Sequence, residues 1–424
     1  MNRPSAAGGT AVDARREILV ILTTSFPRFE GDTVGTFMEP IARHLAARGH
    51  DVHVVLPFHT KLERRGREGC LTFHPFRYAP ARSLNVFGYA EGLRADVRLR
   101  GAALLAAPLA LVSGWAATRR VARAVGATVV HAHWVIPGGV IGRLSAGRRP
   151  LVISLHGSDV FVAEKHRTAG LAARYAFAGA GWVTACSDDL RDRAIALGAR
   201  PDRIETVPYG VDAERFRPDP SLRRRVRQDL GLEADQPLVF TAGRFVRKKG
   251  FEYLVEAAAA LIPKWPRMVL VIGGGGDLER ELEERVVSLG IAAHVRFPGV
   301  LEHDQVAGHL AAADVAVVPS VRDDSGNVDG LPNVVMEALA SGTPLVTTAA
   351  GGIGAVVEHG RTALVVAQRD PAGLACAIDA LLGDPARRAE LGRAARTDVA
   401  AKWTWERVAE RFEAAYRLAS KRAD

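Results

Sequence analysis

The stretch DGLPNVVMEALASGTPLV, at residues 329–346, places two carboxylates eight residues apart around a turn and the start of a helix. Pro332 has a fixed φ and no N–H, which suits a first helical position. Asp329 then precedes the helix and Glu337 lies about a turn and a half inside it, so we expect both carboxylates to face one cleft. The free N–H groups and the positive dipole end of such a helix favour an anion such as phosphate.

A second pattern that favours phosphate lies some eighty-five residues earlier, in LVFTAGRFVRKKG at residues 238–250. An apolar strand ends at Gly243 and is followed by Arg244 and by Lys249, which opens the next helix. Arg offers a planar bidentate fork and Lys a mobile point charge, so the pair can neutralise a diphosphate without a metal. Two such half-sites in one half of the chain predict a nucleoside diphosphate as ligand.

Short apolar runs alternate with amphipathic helical runs along the chain, for example with helices at 37–48 and 251–261. This alternation is typical of parallel sheets covered by helices on both faces. The predicted strands are 18–22, 52–56, 129–133, 152–155 and 182–185, then 239–242, 269–272, 295–297, 315–318 and 345–347. The sequence therefore predicts an α/β protein with two doubly wound, Rossmann-like halves. Ligands of such sheets lie beyond the carboxyl ends of the strands.

Six segments, taken in order, resemble family 4 of the retaining, nucleotide-sugar-dependent glycosyltransferases, which have the GT-B fold. Besides the two quoted above, they are LVISLHGSDVF around His156, VPYGVDAERFRP from Val207, VIGGGGDLERELEE from Val271 and VRFPGVLEHDQVAGHLAAADVAVVPS from Val295. The resemblance implies two Rossmann-like domains that face a cleft. It also implies a bacterial enzyme that builds exopolysaccharide or another envelope glycan.

The resemblance sets the expected domain boundaries. Residues 17–208 would form the acceptor-side domain and residues 209–402 the donor-binding domain, while the last helix, within 403–424, returns to the first domain. The segment 207–220 is rich in Pro and Gly and reads as the linker. Residues 1–16 are polar and lack the apolar core of a signal peptide, so we expect a disordered tail there.

For the donor, the resemblance implies that Arg244 and Lys249 hold the diphosphate, helped by the helix start and by Gly35. Glu337 would accept hydrogen bonds from the ribose hydroxyls and Asp329 from the transferred sugar. An ordinary turn glycine is the alternative for Gly35. The remaining predicted donor contacts are Leu301 and Val318 beside the base, and Leu331, Pro332 and Asn333 at the helix start.

One carboxylate departs from the family, which usually has Glu where this chain has Asp329. The shorter side chain loses about 1.5 Å of reach. Three explanations stay open: the loop moves inward, the donor sugar differs, or this carboxylate contacts nothing essential.

The predicted catalytic set is His156, Arg244, Lys249 and Asp329. By itself, His156 at a strand end would favour a structural histidine. The resemblance implies instead that its carbonyl and imidazole face the anomeric centre and a sugar hydroxyl, while Asp159 holds the loop. In family terms the departing phosphate takes the proton of the acceptor, so the configuration is retained without a protein nucleophile.

On the acceptor side we predict contacts from His131, His133 and Trp134, with core packing as the alternative for the two histidines. These histidines have no third ligand at metal spacing, and no Asp-x-Asp occurs in the chain, so we expect no metal and no cofactor. The run GGGGD fails as a dinucleotide fingerprint, because Leu278 or Glu279 would replace its third glycine. An NAD-dependent enzyme is therefore the weaker alternative.

Charge divides unevenly between the halves. Residues 1–210 contain 28 Lys and Arg against 17 Asp and Glu, a balance of +11, and the rest contains 28 against 30, a balance of −2. The excess is either an Arg-rich surface without a partner or a half that contacts anionic membrane peripherally to reach a lipid-linked or polymeric acceptor. Nucleic acid is not expected, because no basic motif is interleaved with aromatic residues.

Residues 101–118 are the only membrane-like stretch, but they are rich in Ala and include Pro108, so we expect a buried or interfacial helix. The three cysteines show no metal or disulfide spacing, which favours a cytoplasmic protein.

Two other classes of function remain as alternatives. The chain could be a GT-B epimerase or hydrolase of nucleotide sugars, or a glycan-binding protein that keeps the fold without catalysis. Arg244, Lys249 and Glu337 argue against the second of these. The basic first half and Gly35 argue mildly against the first.

Overall fold

The computed structural model describes residues 16–32, 34–79, 85, 88–89, 93–94, 98–99 and 101–422. These residues form two parallel sheets with helices on both faces, which confirms the predicted pair of doubly wound α/β halves. The tail expected at 1–16 lies outside the described residues except for its last position. Strands β7, β8 and β12, defined below, are buried along their entire length, as expected for parallel strands covered on both faces.

The first domain holds an eight-stranded sheet in the order β10-β9-β8-β7-β1-β2-β4-β3, parallel throughout except for the edge pair β3–β4. Strands β5 and β6 pair only with each other. The strands are β1 (Ile18–Leu22), β2 (Asp51–Pro57), β3 (Gly66–Glu68), β4 (Leu71–Phe76), β5 (Leu93–Arg94), β6 (Arg98–Leu99), β7 (Val129–His133), β8 (Leu151–Leu155), β9 (Trp182–Ala185) and β10 (Ile204–Thr206). The helices are α1 (Met38–Ala47), α2 (Gly101–Ala124), α3 (Val140–Ala146), α4 (Ser158–Lys165), α5 (Arg167–Gly179) and α6 (Asp188–Ala196).

The second domain holds a fully parallel six-stranded sheet in the order β13-β12-β11-β14-β15-β16. Its strands are β11 (Leu238–Ala242), β12 (Val269–Gly273), β13 (Val295–Arg296), β14 (Val315–Val318), β15 (Leu345–Thr348) and β16 (Leu364–Val366). Its helices are α7 (Pro220–Asp229), α8 (Phe251–Leu261), α9 (Glu279–Ser288), α10 (His303–Ala312), α11 (Asn333–Ser341), α12 (Pro371–Gly383) and α13 (Pro385–Lys402). The last helix, α14 (Trp405–Ser420), leaves this domain.

Helix α14 packs on the first domain. Glu413 on α14 accepts hydrogen bonds from Arg48 at 2.7 Å and bonds His50 at 3.0 Å, just before β2. Where the chain crosses, Val211 forms a bridge with Thr404. The return of the last helix places residues from both ends of the chain in one core.

The structure differs from the sequence prediction at several elements. Six strands were not predicted, since they are short or, as in β4, include Pro75, which has no N–H to donate; they are β3, β4, β5, β6, β10 and β16. Pro332 is not the first helical residue, because its backbone is extended (ψ 126°) and α11 begins at Asn333. Glu337 is thus the fifth residue of α11.

The apolar stretch at 101–118 forms the first part of α2, which contains Pro108 and exposes one face. Among the described residues, no helix has both the length and the apolarity that a membrane crossing requires.

Candidate active site

A cavity of about 870 Å³ lies between the two domains, at the carboxyl ends of both sheets. Its volume is within the range usual for small-molecule sites. Eleven of the fourteen predicted site residues line it: Gly35, Trp134, His156, Arg244, Lys249, Leu301, Asp329, Leu331, Pro332, Asn333 and Glu337. The other three, His131, His133 and Val318, do not.

Two lysines and one carboxylate form the charged part of the wall. Lys248 Nζ lies 3.1 Å from Oδ1 of Asp329, and Lys249 Nζ lies 2.7 Å from Oδ2. Lys248 and Asp329 are both buried. Burial alone would raise the pKa of Asp329, but the charges of Lys249 and Lys248 outweigh it and hold this pKa well below its usual range. The carboxylate is therefore ionised and carries two cations at the cavity wall.

Both lysines come from one short 3₁₀ turn, Arg247–Lys249, which precedes α8. Gly250 ends the turn in the left-handed region (φ +67°), and a Cβ there would lie 2.1 Å from the carbonyl oxygen of Pro319. Only glycine lets the turn approach the loop after β14 so closely. Arg244, at the end of β11, is exposed and faces the same cavity.

Glu337 faces the cavity from α11. Its side chain is 8% exposed, and no described residue hydrogen-bonds its carboxylate. Burial raises its pKa to about 7, although the charges of Lys249 and Arg215 act in the opposite direction. The carboxyl group therefore titrates near pH 7 and has no hydrogen-bond partner among the described residues. It can accept hydrogen bonds from the hydroxyl groups of a ligand.

Gly35 brings the first domain close to this charged wall. Its φ is +64°, and a Cβ would lie 2.8 Å from Ser25 Oγ, so a side chain at this position is excluded on two counts. Next to it, Thr36 Oγ1 accepts a hydrogen bond from Asn333 Nδ2 at 3.3 Å, across the domain boundary. The loop before α1 thus meets the start of α11.

The opposite wall is aromatic. The ring of Phe37 stacks on Tyr209 (centroids 4.6 Å apart) and lies 4.7 Å from the imidazole of His156. Trp134 is also 4.7 Å from that imidazole. Trp134 has φ +63°, a conformation that is strained for a bulky residue and is found mostly at functional sites.

The imidazole of His156 is already saturated. Its Nδ1 bonds Tyr209 Oη at 2.7 Å, and its Nε2 bonds His133 Nδ1 at 2.9 Å. Burial lowers the pKa of His156 to about 3, so the ring is neutral. Neither ring nitrogen is available to a sugar hydroxyl in this arrangement, which corrects the expectation that the imidazole contacts one. The main-chain carbonyl of His156 still faces the loop at Gly330.

The predicted acceptor contacts of His131 and His133 are wrong, because both side chains are fully buried. His131 bonds Tyr416 Oη at 2.9 Å and Ser154 Oγ at 2.7 Å, so it joins α14 to the sheet. Burial lowers the pKa of His131 to about 3 and that of His133 well below its usual value. Of the acceptor-side trio, only Trp134 lines the cavity.

Asp159 lies where it can fix the loop after β8. Its Oδ2 accepts from the N–H of Val135 at 2.6 Å and its Oδ1 from the N–H of Gly157 at 3.1 Å. Burial raises the pKa of Asp159 to about 6, against the lowering effect of these hydrogen bonds. The carboxylate ties the two loops that carry Trp134 and His156.

The region predicted to meet the base is only partly as expected. Leu301 lines the cavity and packs tightly on Gly273. A Cβ added to Gly273 would lie 2.5 Å from Cδ1 of Leu301. The side chain of Val318 is buried in the core, and its carbonyl oxygen accepts a hydrogen bond from Thr347 Oγ1 at 2.8 Å. The structure thus brings Leu301, but not Val318, to the cavity where the base is predicted to bind.

Three cavity residues carry contacts that sequence reasoning did not assign: Lys248, Phe37 and Tyr209. Each lies within a quoted segment or beside Gly35, so the signal was present. Which lysine of a pair turns inward, and which ring stacks on a histidine, depends on backbone direction that residue type does not encode. Within the described ranges, no group of three or more His, Cys, Asp or Glu is arranged to hold a metal ion.

Comparison with curated proteins finds relatives along the length of the chain. The GDP-mannose-dependent alpha-(1-6)-phosphatidylinositol monomannoside mannosyltransferase of Mycolicibacterium smegmatis is 34% identical over 68% of this chain and 76% of that protein. The D-inositol 3-phosphate glycosyltransferase of Acidothermus cellulolyticus is 32% identical over 99% of this chain and 94% of that protein. The sucrose-phosphate synthase of Thermosynechococcus elongatus superposes with a TM-score of 0.77 at 22% identity, over 95% of this chain and 98% of that one.

Family models match both halves. Residues 34–215 match the model described as Glycosyltransferase Family 4, and residues 223–398 match Glycosyl transferases group 1. The superposition confirms the GT-B fold. Since the two models match consecutive parts of the chain, and a relative matched over almost its whole length is named a glycosyltransferase, the chain belongs to the family 4 (group 1) glycosyltransferases.

Proposed function

We propose that this glycosyltransferase moves a sugar from a GDP- or UDP-sugar to a hydroxyl of a glycan or lipid-linked acceptor, with retention of configuration and without a metal. The observation that carries the proposal is the cluster of Lys248, Lys249 and Asp329 at the wall of the cavity, beside the start of α11. The name of the mycobacterial relative makes GDP-mannose the first donor to test.

The lysines supply the electrostatic part of the proposed reaction. As the bond between the sugar and the diphosphate breaks, negative charge grows on the leaving group. Lys248, Lys249 and Arg244, with the N-terminus of α11, stabilise that charge, the task that a metal ion performs in other enzymes. Glu337 accepts hydrogen bonds from the ribose, and Asp329 holds the lysines in place.

The state of the carboxylates bears on the route by which configuration would be retained. Three carboxylates line the cavity among the described residues: Asp159, Asp329 and Glu337. The first accepts backbone N–H groups and the second carries two lysines, while the third belongs to the ribose subsite of this proposal. With no carboxylate left as nucleophile, a double displacement is disfavoured, and retention requires that the acceptor oxygen bond the anomeric carbon on the face from which the diphosphate departs. Its proton passes to a phosphate oxygen of the leaving group.

The acceptor would enter from the aromatic wall. Phe37, Trp134 and Tyr209 offer ring faces of the kind that pack against sugars and other amphipathic groups. Because the first domain is basic, the proposal also includes a cytoplasmic enzyme that contacts anionic membrane peripherally.

The decisive experiment is a thermal-shift panel of GDP, UDP, ADP, NAD and the sugar conjugates of the first two, in excess EDTA. A ligand at a hundredfold excess over its dissociation constant adds about 2.7 kcal/mol of stability. We expect a shift with GDP or UDP that Lys249→Ala removes and Lys264→Ala, an exposed lysine on another surface, preserves. A shift with NAD alone, or with nucleotides only after metal is restored, contradicts the proposal.

Stereochemistry is tested separately. With the donor that the panel identifies, NMR of the first product formed from a simple hydroxyl acceptor reports the anomeric configuration. Retention is expected, and inversion would contradict the proposed route.

A further inference from the structure

Large apolar side chains gather on one surface of the first domain. Among the described residues, eight large hydrophobic side chains are exposed, and five of them lie on three helices that pack side by side. They are Leu109 and Val112 on α2, Leu144 on α3, and Leu171 and Tyr175 on α5. We call this surface the α2–α3–α5 face. Clusters of this kind mark interaction surfaces, whereas single exposed apolar residues do not.

Contacts between the helices make the face one surface. Trp115 Nε1 on α2 donates to the carbonyl oxygen of Leu144 on α3 at 3.1 Å. The guanidinium of Arg143 on α3 lies 3.9 Å from the ring centroid of Tyr175 on α5. The exposed apolar groups are therefore neighbours on a rigid three-helix layer.

The three helices that form the face are basic. Helices α2, α3 and α5 contain six arginines and no acidic residue, and no Asp or Glu occurs anywhere between residues 97 and 158. Along α2, exposed positions follow at helical spacing, apolar at 109, 112 and 116 and basic at 120 and 123. On the adjacent α4, Glu164 is paired with Arg193 at 2.8 Å. Apolar groups next to unopposed arginines suit an anionic lipid surface.

The same helices form one side of the cavity. Ala107 and Leu111 of α2, Val140 of α3 and Ala172 of α5 all line it. Val140 is one turn from Leu144, and Ala172 is next to Leu171 in sequence. The α2–α3–α5 face and the cavity therefore share three helices and lie close to each other.

We propose that the α2–α3–α5 face docks on an anionic phospholipid bilayer, so that the acceptor is a membrane lipid whose polar head enters the cavity while its apolar tail stays in the bilayer. This inference rests on the proposed function in taking the cavity as the site of transfer. A second copy of the chain is a poorer occupant, because symmetric pairing would bring two basic faces together. A bilayer of opposite charge has no such conflict.

Flotation of the whole protein with lipid vesicles tests the docking. Vesicles of phosphatidylcholine are compared with vesicles that also contain phosphatidylglycerol. We expect binding to the anionic vesicles to be at least about tenfold stronger and to weaken as salt is raised. Equal binding to both kinds of vesicle, or no binding to either, would overturn the proposal.

Variants locate the contact. Val112→Glu, Leu171→Glu and the pair Arg120→Glu with Arg123→Glu should each weaken binding to anionic vesicles by about tenfold or more. Val287→Glu on α9, where the side chain is 68% exposed, and Arg225→Glu on α7 are matched controls in the second domain and should bind as the parent does. If the face variants bind like the parent, the docking surface lies elsewhere.

Two further readouts separate the outcomes. Sedimentation without lipid shows whether Val112→Glu dissolves a dimer, a result that would assign the face to a second copy instead. The GDP and UDP thermal shifts of the same variants report the donor site independently. If vesicle binding follows the face but no nucleotide shifts the parent protein, the proposed function fails while the docking surface stands.

Discussion

The two walls of the cavity differ in their chemistry. We call the wall formed by the second domain the ionic wall and the wall formed by the first domain the aromatic wall. The second domain presents ions: two lysines on one aspartate, an arginine and a glutamate that titrates near neutrality. The first domain presents stacked rings around His156, whose nitrogens are already bonded and whose charge is suppressed by burial. In the proposed reaction, the ionic wall binds the charged leaving group and the aromatic wall binds the neutral acceptor.

This difference teaches where each wall is sensitive to change. Electrostatic terms between buried ions are large, so single substitutions in the second domain should have large effects. The aromatic wall is held by stacking and neutral hydrogen bonds, each of which contributes little alone. The contrast predicts a graded series of effects across the cavity.

The largest effect should follow Asp329→Ala. Removing this carboxylate takes an ionic partner from two largely buried lysines, Lys248 and Lys249, which costs about 3–5 kcal/mol in free energy of unfolding. Urea denaturation without nucleotide measures this loss. Glu284→Ala, which removes a partner from the exposed Arg280, is the control and should cost no more than about 1 kcal/mol.

The turnover rate of Asp329→Ala tests whether this carboxylate also has a role in catalysis. If Asp329→Ala leaves the turnover rate unchanged while Glu337→Ala and Arg244→Ala abolish turnover, Asp329 has no role in catalysis. Its shorter side chain would then be a neutral replacement for the family's usual glutamate.

Lys249→Ala should be next. Loss of one preorganised cation at the departing diphosphate lowers kcat/KM by about 10²–10³-fold, or about 3–4 kcal/mol. Steady-state kinetics with the donor found in the thermal-shift panel measures it, and Lys264→Ala should match the parent. A change of less than tenfold would show that the ionic wall does not stabilise the leaving group.

Glu337→Gln should reveal the raised pKa as a dependence on pH. Because the folded protein holds this proton up to about pH 7 and the unfolded chain releases it near pH 4.5, the parent loses stability as pH rises between those values. The total loss is up to about 3 kcal/mol. The stability of the glutamine variant relative to the parent should therefore increase from about pH 5 to about pH 8. Thermal denaturation without nucleotide measures this difference. Parallel curves would mean that Glu337 is ionised throughout.

Tyr209→Phe should have the smallest effect. It removes the hydroxyl that bonds His156 Nδ1, at a cost of about 1 kcal/mol of stability. NMR of the His156 ring nitrogens should also show a changed tautomer balance. Tyr253→Phe on α8, outside the cavity lining, is the control. A loss as large as that of Asp329→Ala would erase the contrast between the two walls.

Most of the fold followed from periodicity, because long apolar strands between amphipathic helices have few other solutions. The strands that sequence missed, such as the three-residue β16, bury too few side chains to leave a pattern. Which side chains face the cavity was harder to predict from the sequence. Strand β7 is buried on both faces, so its alternation could not tell a cavity side from a core side, and His131 was misplaced for that reason.

Charged positions were assigned only as far as residue type allows. Lys249 was chosen over its neighbour because it opens a helix, yet both lysines reach Asp329. Pairing between loops eighty residues apart in sequence is a tertiary property. The saturation of His156 by Tyr209 and His133 likewise depends on three separate segments.

The return of α14 to the first domain has a consequence for the order of synthesis. Tyr416, 1% exposed and bonded to His131, fills the core of a domain that began almost four hundred residues earlier. On the ribosome, the first domain emerges first but lacks this helix until the second domain has been synthesised. The second domain, whose strands and helices lie within residues 220–402, is the first that can close its core. Completion of the first domain's core is thus coupled to synthesis of the second domain.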